Sequence, residues 1–264
     1  ISSAYRKEWK KIENERPNPH YLRSIITMRM SDFVAKILDG NDEEAKELVD
    51  SIYSGDAYIL KGAIDKSEAE ELKEKVKKLQ QEREMLPGYT SVEHSYVFFR
   101  HNGDKLGLFE RLDEYWDAIK ILSGADEKSF KKNIPSDGVI DRITFLHYPV
   151  GQGEITTHFD SSFAQKVLLG SVLTQIGEDY DYGENGFYLM KPDKSKVYIE
   201  NEDIEKGDFV CVYPTMYHGV PRVAKSGHKQ SEQTPVSGRW YLQLYSPQSH
   251  EIKNREYTVA VNDD

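Results

Sequence analysis

The spacing of hydrophobic residues changes near Gly138. Before this glycine, apolar residues recur at helical spacing and predict helices within residues 1–50, at 65–85 and at about 105–122. Pro17 and Pro19 interrupt the first of these regions, and a second helix is expected over 31–53. Short strands are predicted at 58–60 and 96–99. The first half is therefore expected to be mainly helical, with Phe33 and Ile37 among its buried residues.

After Gly138 the pattern is one of short apolar runs separated by Gly, Pro, Asp and Asn, which is typical of β-structure. Predicted strands cover 167–176, 187–190 and 238–245, and a loop covers 180–186. The segment 208–220 is interpreted as two short strands that meet at Pro214. The chain is therefore expected to have an α+β fold, with helical support over 1–138 and a β core over 139–264.

Two histidines and an aspartate are the candidate chemistry of this β region. His158 and Asp160 stand two positions apart on a predicted strand, so their side chains project from the same face. A paired strand is expected to bring His218 to them. Two imidazoles and one carboxylate form the set that holds non-haem Fe(II) on one side and leaves other coordination positions open. A His-x-Asp pair also occurs by chance on surface strands, so the hypothesis of a metal site depends on the other motifs as well.

Those motifs follow a fixed order along the chain. Tyr148-Pro-Val-Gly151 precedes His158, and an apolar strand, the turn Gly183-Glu184-Asn185-Gly186, His218-Gly-Val220 and Gly238-Arg-Trp240 follow it. In this order the sequence resembles the Fe(II)/2-oxoglutarate-dependent oxygenase superfamily, and is most similar to its prolyl 4-hydroxylase-like branch. The resemblance covers about residues 139–245. It implies a double-stranded β-helix, or jelly-roll, core that carries the iron ligands His158, Asp160 and His218.

The resemblance also implies a binding site for the cosubstrate 2-oxoglutarate. An arginine of this family pairs with the distal carboxylate of 2-oxoglutarate, a task that suits the planar guanidinium. Arg239 on the last long strand is the first choice, and Arg222, which shares a strand face with His218, is the alternative. Tyr148 matches a family tyrosine near the cosubstrate, and Thr174 is a further candidate contact. The 14-residue loop 224–237 that separates the two arginines departs from the family pattern and contains the predicted lid, 225–235.

In this family, oxidative decarboxylation of 2-oxoglutarate to succinate and CO2 uses O2 and is coupled to oxidation of a substrate C–H bond. Related halogenases have Gly or Ala in place of the aspartate. The presence of Asp160 therefore favours hydroxylation or another oxidation over halogenation.

Composition limits the remaining possibilities. A chain of 264 residues can bury a substantial core within one domain, and no second domain is required. A net charge of −10 argues against nucleic acid as the main partner, because phosphate binding calls for clustered Lys and Arg. The single cysteine, Cys211, excludes an intramolecular disulfide, and no apolar run approaches the length of a membrane span. A reducing, cytoplasmic setting is expected, and it suits Fe(II).

We therefore expect a 2-oxoglutarate-dependent hydroxylase of a small molecule, such as a free amino acid or a derivative. A residue of a protein or peptide is the alternative substrate, since prolyl 4-hydroxylase relatives modify peptides. Two rivals remain from other classes: a cupin-like metal oxygenase that does not use 2-oxoglutarate, and a non-catalytic jelly-roll binding module. The sequence leaves the substrate, its position of oxidation, and the oligomeric state open.

Overall fold

The structure is a computed structural model that describes residues 1–82, 89–92, 95–227 and 237–261. Its α-helices are α1 (Ser2–Glu15), α2 (Met30–Asp39), α3 (Asp42–Tyr53), α4 (Lys66–Glu82) and α5 (Leu108–Leu122). Its strands are β1 (Ser24–Arg29), β2 (Asp56–Lys61), β3 (Tyr89–Val92), β4 (Ser95–Phe99), β5 (Arg142–Tyr148), β6 (Ile155–Phe159), β7 (Leu168–Val172), β8 (Tyr188–Met190), β9 (Lys196–Tyr198), β10 (Phe209–Val212), β11 (His218–Val220), β12 (Arg239–Tyr245) and β13 (Val259–Ala260).

The strands form two sheets. The larger sheet has eight strands in the order β1-β2-β10-β7-β12-β5-β4-β3, and the smaller has five in the order β13-β6-β11-β8-β9. All pairings are antiparallel except that of β1 with β2, which is parallel. The predicted α+β class is confirmed, and the strands expected after Gly138 form most of both sheets. The first half adds β1 and β2 at one edge of the larger sheet, and β4 and β3 at the other.

The helix predicted over 31–53 is wrong as a single element, because the chain forms two helices there. Gly40 is extended rather than helical, and Asn41 begins α3 by accepting hydrogen bonds from the backbone N–H groups of Glu43 and Glu44. The Glu44 side chain in turn accepts from the Asn41 backbone N–H, which completes a capping box. Strand β1 was not predicted; it covers 24–29, where the parallel partner β2 provides its hydrogen bonds. The break after α1 agrees with the prediction from the prolines.

One hydrophobic core joins the two halves of the chain. Trp9 of α1, Trp116 of α5 and Trp240 of β12 are among its largest fully buried side chains. The Trp9 indole N–H donates to the Leu122 carbonyl at 2.6 Å, which fastens α1 to the end of α5. Cys211 is fully buried between strands, as its apolar neighbours predicted. Within the described part of the chain, no helix is both long and apolar enough to cross a lipid bilayer.

Asp141 fixes the start of β5 in the core. Its carboxylate accepts from Arg100 Nε and Lys120 Nζ, each at 2.7 Å, and from the Ser246 hydroxyl at 2.9 Å. Lys120 is 1% exposed, so water cannot reach its ammonium group, and the Asp141 carboxylate compensates the charge instead. Because Ser246 directly follows β12, the same carboxylate ties the start of β5 to the end of its partner strand.

Strands β5 and β12 pair along their whole length and present alternate side chains to one side. The register opposes Arg142 with Tyr245, Thr144 with Gln243, Leu146 with Tyr241, and Tyr148 with Arg239. These four pairs share a face because strand side chains alternate. Gly238, directly before Arg239, has φ +113°, and a Cβ there would lie 2.2 Å from the Tyr148 carbonyl oxygen. Glycine at this position allows β12 to begin close to the end of β5.

Replacing this glycine tests whether the close approach matters. We expect Gly238→Ala to be less stable than Gly103→Ala in urea-induced unfolding. Gly103 has a similar φ, +96°, but its Cβ would meet nothing within 4 Å, so its substitution carries backbone strain alone, about 1–3 kcal/mol. Gly238→Ala adds a steric clash worth at least about 1 kcal/mol. Equal losses of unfolding free energy in the two variants would contradict this account of the β5–β12 junction.

Candidate metal centre

The two histidines of the predicted triad lie directly opposite each other on paired strands. His158 near the end of β6 is the register partner of His218 at the start of β11. Their ring centroids are 4.2 Å apart, with the rings tilted by 59°. Paired strands bring opposed side chains this close regardless of the separation in sequence. The expectation that a paired strand would deliver His218 to His158 is therefore met.

Asp160 completes the group from the residue after β6. Its backbone N–H donates to the Pro214 carbonyl at 2.9 Å, which holds the loop between β10 and β11 against the end of β6. Its Oδ2 lies 3.6 Å from His218 Nε2, and its Oδ1 accepts a hydrogen bond from the Thr258 hydroxyl. One ligand atom each from His158, Asp160 and His218 lies within 4.8 Å of the others.

Hydrogen bonds to the backbone fix both imidazole rings. His158 Nδ1 is 2.8 Å from the Thr156 carbonyl oxygen, and His218 Nδ1 is 2.7 Å from that of Met216. A carbonyl only accepts, so each Nδ1 carries a proton, and Nε2 is the nitrogen that each neutral ring can offer to a metal. Burial lowers the pKa of His158, and the nearby His218 acts in the same direction. The neutral, metal-binding form of His158 is thus favoured.

The aspartate is held in its charged form. Burial acts to raise the pKa of Asp160, but interactions with His218 and the hydrogen bond from Thr258 outweigh it and lower that pKa to about 2. Two neutral imidazoles and one carboxylate are the donor set that suits non-haem Fe(II) and leaves coordination positions free on the opposite side. The residues present therefore fit such an ion.

The triad opens into a cavity of about 480 Å³. Side chains of both sheets line it, so the sheets face each other across it: His158, His218 and Val220 from the smaller sheet, Val210 and Val212 from the larger. The four cross-strand pairs of β5 and β12 form its floor, and all eight of their side chains line it. An arginine therefore lies at each end of the floor, Arg239 at one and Arg142 at the other.

Arg239 is buried in an ion pair that the sequence did not predict. Its Nε donates to Glu200 Oε1 at 2.9 Å, and its Nη2 donates to the same oxygen at 2.5 Å. Both side chains are 1% exposed. Burial opposes the charge of Arg239, but Glu200 raises the pKa of the guanidinium above its ordinary value. The Tyr180 hydroxyl also donates to Glu200, so one carboxylate organises this end of the cavity.

Of the other predicted cosubstrate residues, one lines the cavity and two do not. Tyr148 is buried, lines the cavity, and has its ring 5.3 Å from the Arg239 guanidinium. The Thr174 hydroxyl accepts from the Trp240 backbone N–H at 3.0 Å, and Thr174 is not among the residues that line the cavity. Arg222 is exposed, pairs with Glu154 at 3.0 Å, and does not line the cavity either. Most of the predicted lid, 225–235, lies outside the described residues.

Sequence reasoning missed several residues around the site. Glu200 lies in a turn after β9, and nothing in its local sequence connects it to Arg239, 39 positions away. Thr258 reaches Asp160 from a segment near the C-terminal end of the sequence. Arg142 had a signal: it and Thr144 are polar residues at alternate positions of a mostly apolar strand, a pattern that indicates a strand face lining a polar cavity.

No protein-family model matches this chain, and no curated protein matches it. Solved structures similar to it include a Neurospora crassa protein in complex with alpha-KG and thymine, at 13% identity and a TM-score of 0.47, covering 90% of this chain and 88% of that one. A Pseudomonas putida prolyl-4-hydroxylase matches at 12% identity and a TM-score of 0.46, covering 81% of this chain and 97% of that one. JOX2 in complex with 2OG, Fe and JA matches at 13% identity and a TM-score of 0.45, covering 90% and 77%.

Metal binding by the triad can be measured directly. We expect His218→Ala to weaken Fe(II) binding by more than about 100-fold in anaerobic calorimetry, because loss of a residue that only supports a metal ligand already costs 10–100-fold. His250→Ala is the matched control, since His250 is exposed and lies outside the triad. Unchanged Fe(II) affinity in His218→Ala would show that the ion binds elsewhere.

The buried ion pair at Arg239 predicts a large effect on stability. We expect Glu200→Gln to lower the free energy of unfolding by about 3–5 kcal/mol, because it leaves a buried guanidinium without its counter-charge. The control is Glu154→Gln, which breaks the exposed pair with Arg222 and should cost less than about 1 kcal/mol. Similar losses in the two variants, measured by urea unfolding, would mean that Arg239 finds compensation without Glu200.

Proposed function

We propose that this protein is a non-haem Fe(II)- and 2-oxoglutarate-dependent dioxygenase that oxidises, most simply hydroxylates, a C–H bond of a small molecule. The single observation that carries the proposal is the His158, Asp160 and His218 group, whose possible ligand atoms lie within 4.8 Å of one another at the wall of a cavity. Backbone carbonyls hold Nδ1 of both rings, and the cavity beside the group is large enough for ligands. The cavity volume falls within the ordinary range for small-molecule sites.

The proposal includes a jelly-roll core within a single domain over 1–264. Four adjacent strands of the larger sheet are β10, β7, β12 and β5, and four adjacent strands of the smaller one are β6, β11, β8 and β9. Side chains of both sheets line the cavity. Four-stranded layers on either side of a central cavity are the arrangement expected of a double-stranded β-helix. The hydrophobic core that joins α1, α5 and β12 supports the view that the helices belong to the same domain.

The metal ligands and the other cavity residues have separate tasks in this proposal. When bound, Fe(II) with 2-oxoglutarate and O2 supplies the oxidising chemistry and releases succinate and CO2. His158, Asp160 and His218 hold the ion, with their orientation set by the backbone carbonyls and by Thr258. No protein acid or base is required, so the remaining cavity residues position the reactants and exclude water.

Arg239 is the residue proposed to bind the distal carboxylate of 2-oxoglutarate. Its bonds to Glu200 use Nε and Nη2, so Nη1 can donate to a carboxylate in the cavity. Glu200 then fixes the plane of the guanidinium, and the Tyr148 and Tyr241 rings, 5.3 and 4.8 Å away, limit its movement. A buried, preorganised guanidinium is well suited to recognise one carboxylate in a defined direction.

The Arg239–Glu200 pair also favours a second candidate function. Because Glu200 already compensates the charge of Arg239, a bound carboxylate there would lie near another carboxylate, which is unfavourable. A cupin-like oxygenase that uses the same metal without 2-oxoglutarate has no need of an uncompensated arginine at this position. Such an enzyme would consume O2 in the presence of its substrate whether or not 2-oxoglutarate is added.

Anaerobic titration of the Fe(II) protein with 2-oxoglutarate tests the proposal. We expect the weak visible charge-transfer band of the metal chelate to appear in wild type. Arg239→Met should weaken 2-oxoglutarate binding by about 10- to 100-fold, the value of hydrogen bonds to a charged group. Arg222→Met removes an equally large cation that lies outside the cavity and should leave the titration unchanged.

The outcomes separate the candidates. Absence of the band in wild-type protein that binds Fe(II) would reject the use of 2-oxoglutarate and favour the cupin-like enzyme. A band that depends on Arg222 rather than Arg239 would keep the dioxygenase but reject the proposed orientation of its cosubstrate.

A further inference from the structure

The end of the cavity opposite Arg239 contains two arginines that form no ion pair with any residue that the structure describes. Arg142 begins β5 and Arg255 lies in the segment before β13, and both line the cavity. The Nε atom of each is buried and has no hydrogen-bond partner, and among the described residues no carboxylate forms an ion pair with either. The Arg142 guanidinium lies 5.7 Å from the centre of the Tyr245 ring, and the Arg255 guanidinium lies 4.6 Å from that of Tyr257. Leaving a buried donor unsatisfied is costly, so such groups call for an explanation.

Two other arginines, by contrast, have carboxylate partners. Arg100, close in the fold to Arg142, pairs with both Asp113 and Asp141, and Arg239 pairs with Glu200. Arg142 follows Asp141 directly, yet that carboxylate is already used by Arg100, Lys120 and Ser246. These buried cations of the protein framework thus have counter-charges, whereas the two that face this end of the cavity do not.

The acidic groups nearby have other roles. Asp160 and Glu256 also line the cavity. Asp160 belongs to the metal triad, and Glu256 accepts a hydrogen bond from the Ser161 hydroxyl. Burial lowers the pKa of the Arg142 guanidinium, and the positive charge of Arg255 also lowers it. Tyr245 and Asp160 act to raise this pKa, but their effect is smaller. Once Asp160 binds a metal ion, less of its charge remains to stabilise the arginines.

From these positions we infer that Arg142 and Arg255 bind a carboxylate of the substrate, which makes the substrate a small organic acid. The inference rests on the proposed function, because it assigns this end of the same cavity to the molecule that is oxidised. Arg142 and Arg239 lie six register positions apart on the floor, about 20 Å along an extended strand, so each can serve a different ligand.

The middle of the floor completes the site for such a molecule. Leu146 and Tyr241 form the cross-strand pair next to Arg239, and Val210 and Val212 add apolar surface from β10. These side chains suit a hydrocarbon body, while the buried hydroxyl of Thr144, which has no hydrogen-bond partner, lies one pair away from Arg142. A carboxylate fixed by guanidinium groups would orient one end of the substrate while its hydrocarbon part reaches the metal.

The test compares acids with their uncharged analogues. The probes are hexanoate, phenylacetate and N-acetylphenylalanine, each paired with its primary amide, together with phenyl phosphate, at millimolar concentration. Binding is measured anaerobically by calorimetry on the Fe(II) protein, with and without 2-oxoglutarate. We expect at least one acid to bind about 10- to 100-fold more tightly than its amide, as hydrogen bonds to a charged group imply.

The variants assign that preference to the two arginines. Arg142→Met should abolish the preference for the acid, Arg142→Lys should retain part of it, and Arg222→Met should leave it unchanged. In all three variants, addition of 2-oxoglutarate should still produce the charge-transfer band. Since Arg142→Met removes a charge that has no counter-charge, we also expect it to fold and to be at least as stable as wild type, in contrast to Glu200→Gln.

Several results would overturn the inference. These are equal binding of acids and amides by wild type, no binding by any acid, binding of phenyl phosphate alone, or loss of 2-oxoglutarate binding in Arg142→Met. Failure of the proposed function looks different: the charge-transfer band would be missing from wild type, while a preference for acids that depends on Arg142 would still be measurable without 2-oxoglutarate.

Discussion

The site depends on the antiparallel pairing of β6 with β11, which sets His158 directly opposite His218. A shift of one residue in this register would turn one imidazole to the other face of the sheet and separate the two ligands. The structure secures the register from both sides, because β11 also pairs with β8, and the Asp160 backbone N–H bonds to the loop before β11. The geometry of the candidate metal centre therefore depends on the smaller sheet and on the register in which its strands pair.

The larger sheet supplies the other half of the site by the same principle. Pairing of β5 with β12 produces a floor of side chains in which the middle is apolar and an arginine stands at each end. The two arginines differ in their surroundings: Arg239 has a buried counter-charge in Glu200, whereas Arg142 has none among the described residues. The charged residues that line the cavity are Arg142, Arg239 and Arg255, together with Asp160 and Glu256. A guanidinium that lacks a counter-charge favours anionic ligands over neutral and cationic ones.

Much of the β half was accessible from the sequence. The strands around His158, His218 and Arg239 were predicted nearly where they lie, because alternation and turn residues are local signals. The helix predicted over 31–53 failed because apolar spacing continues through Gly40 and Asn41, although the backbone does not remain helical there. Strand β1 was missed because its hydrogen bonds come from the distant strand β2.

The sequence by itself determined the identity of the candidate metal ligands and the shared face of His158 and Asp160, since side-chain direction along a strand follows from backbone geometry alone. It also limited the choice of cosubstrate residue to Arg239 and Arg222. Only the tertiary structure showed that Arg239 is buried and lines the cavity, whereas Arg222 is exposed and pairs with Glu154. Likewise, only the tertiary structure revealed the Glu200 counter-charge and the uncompensated Arg142, because the compensation of a buried charge depends on groups brought together from distant parts of the chain.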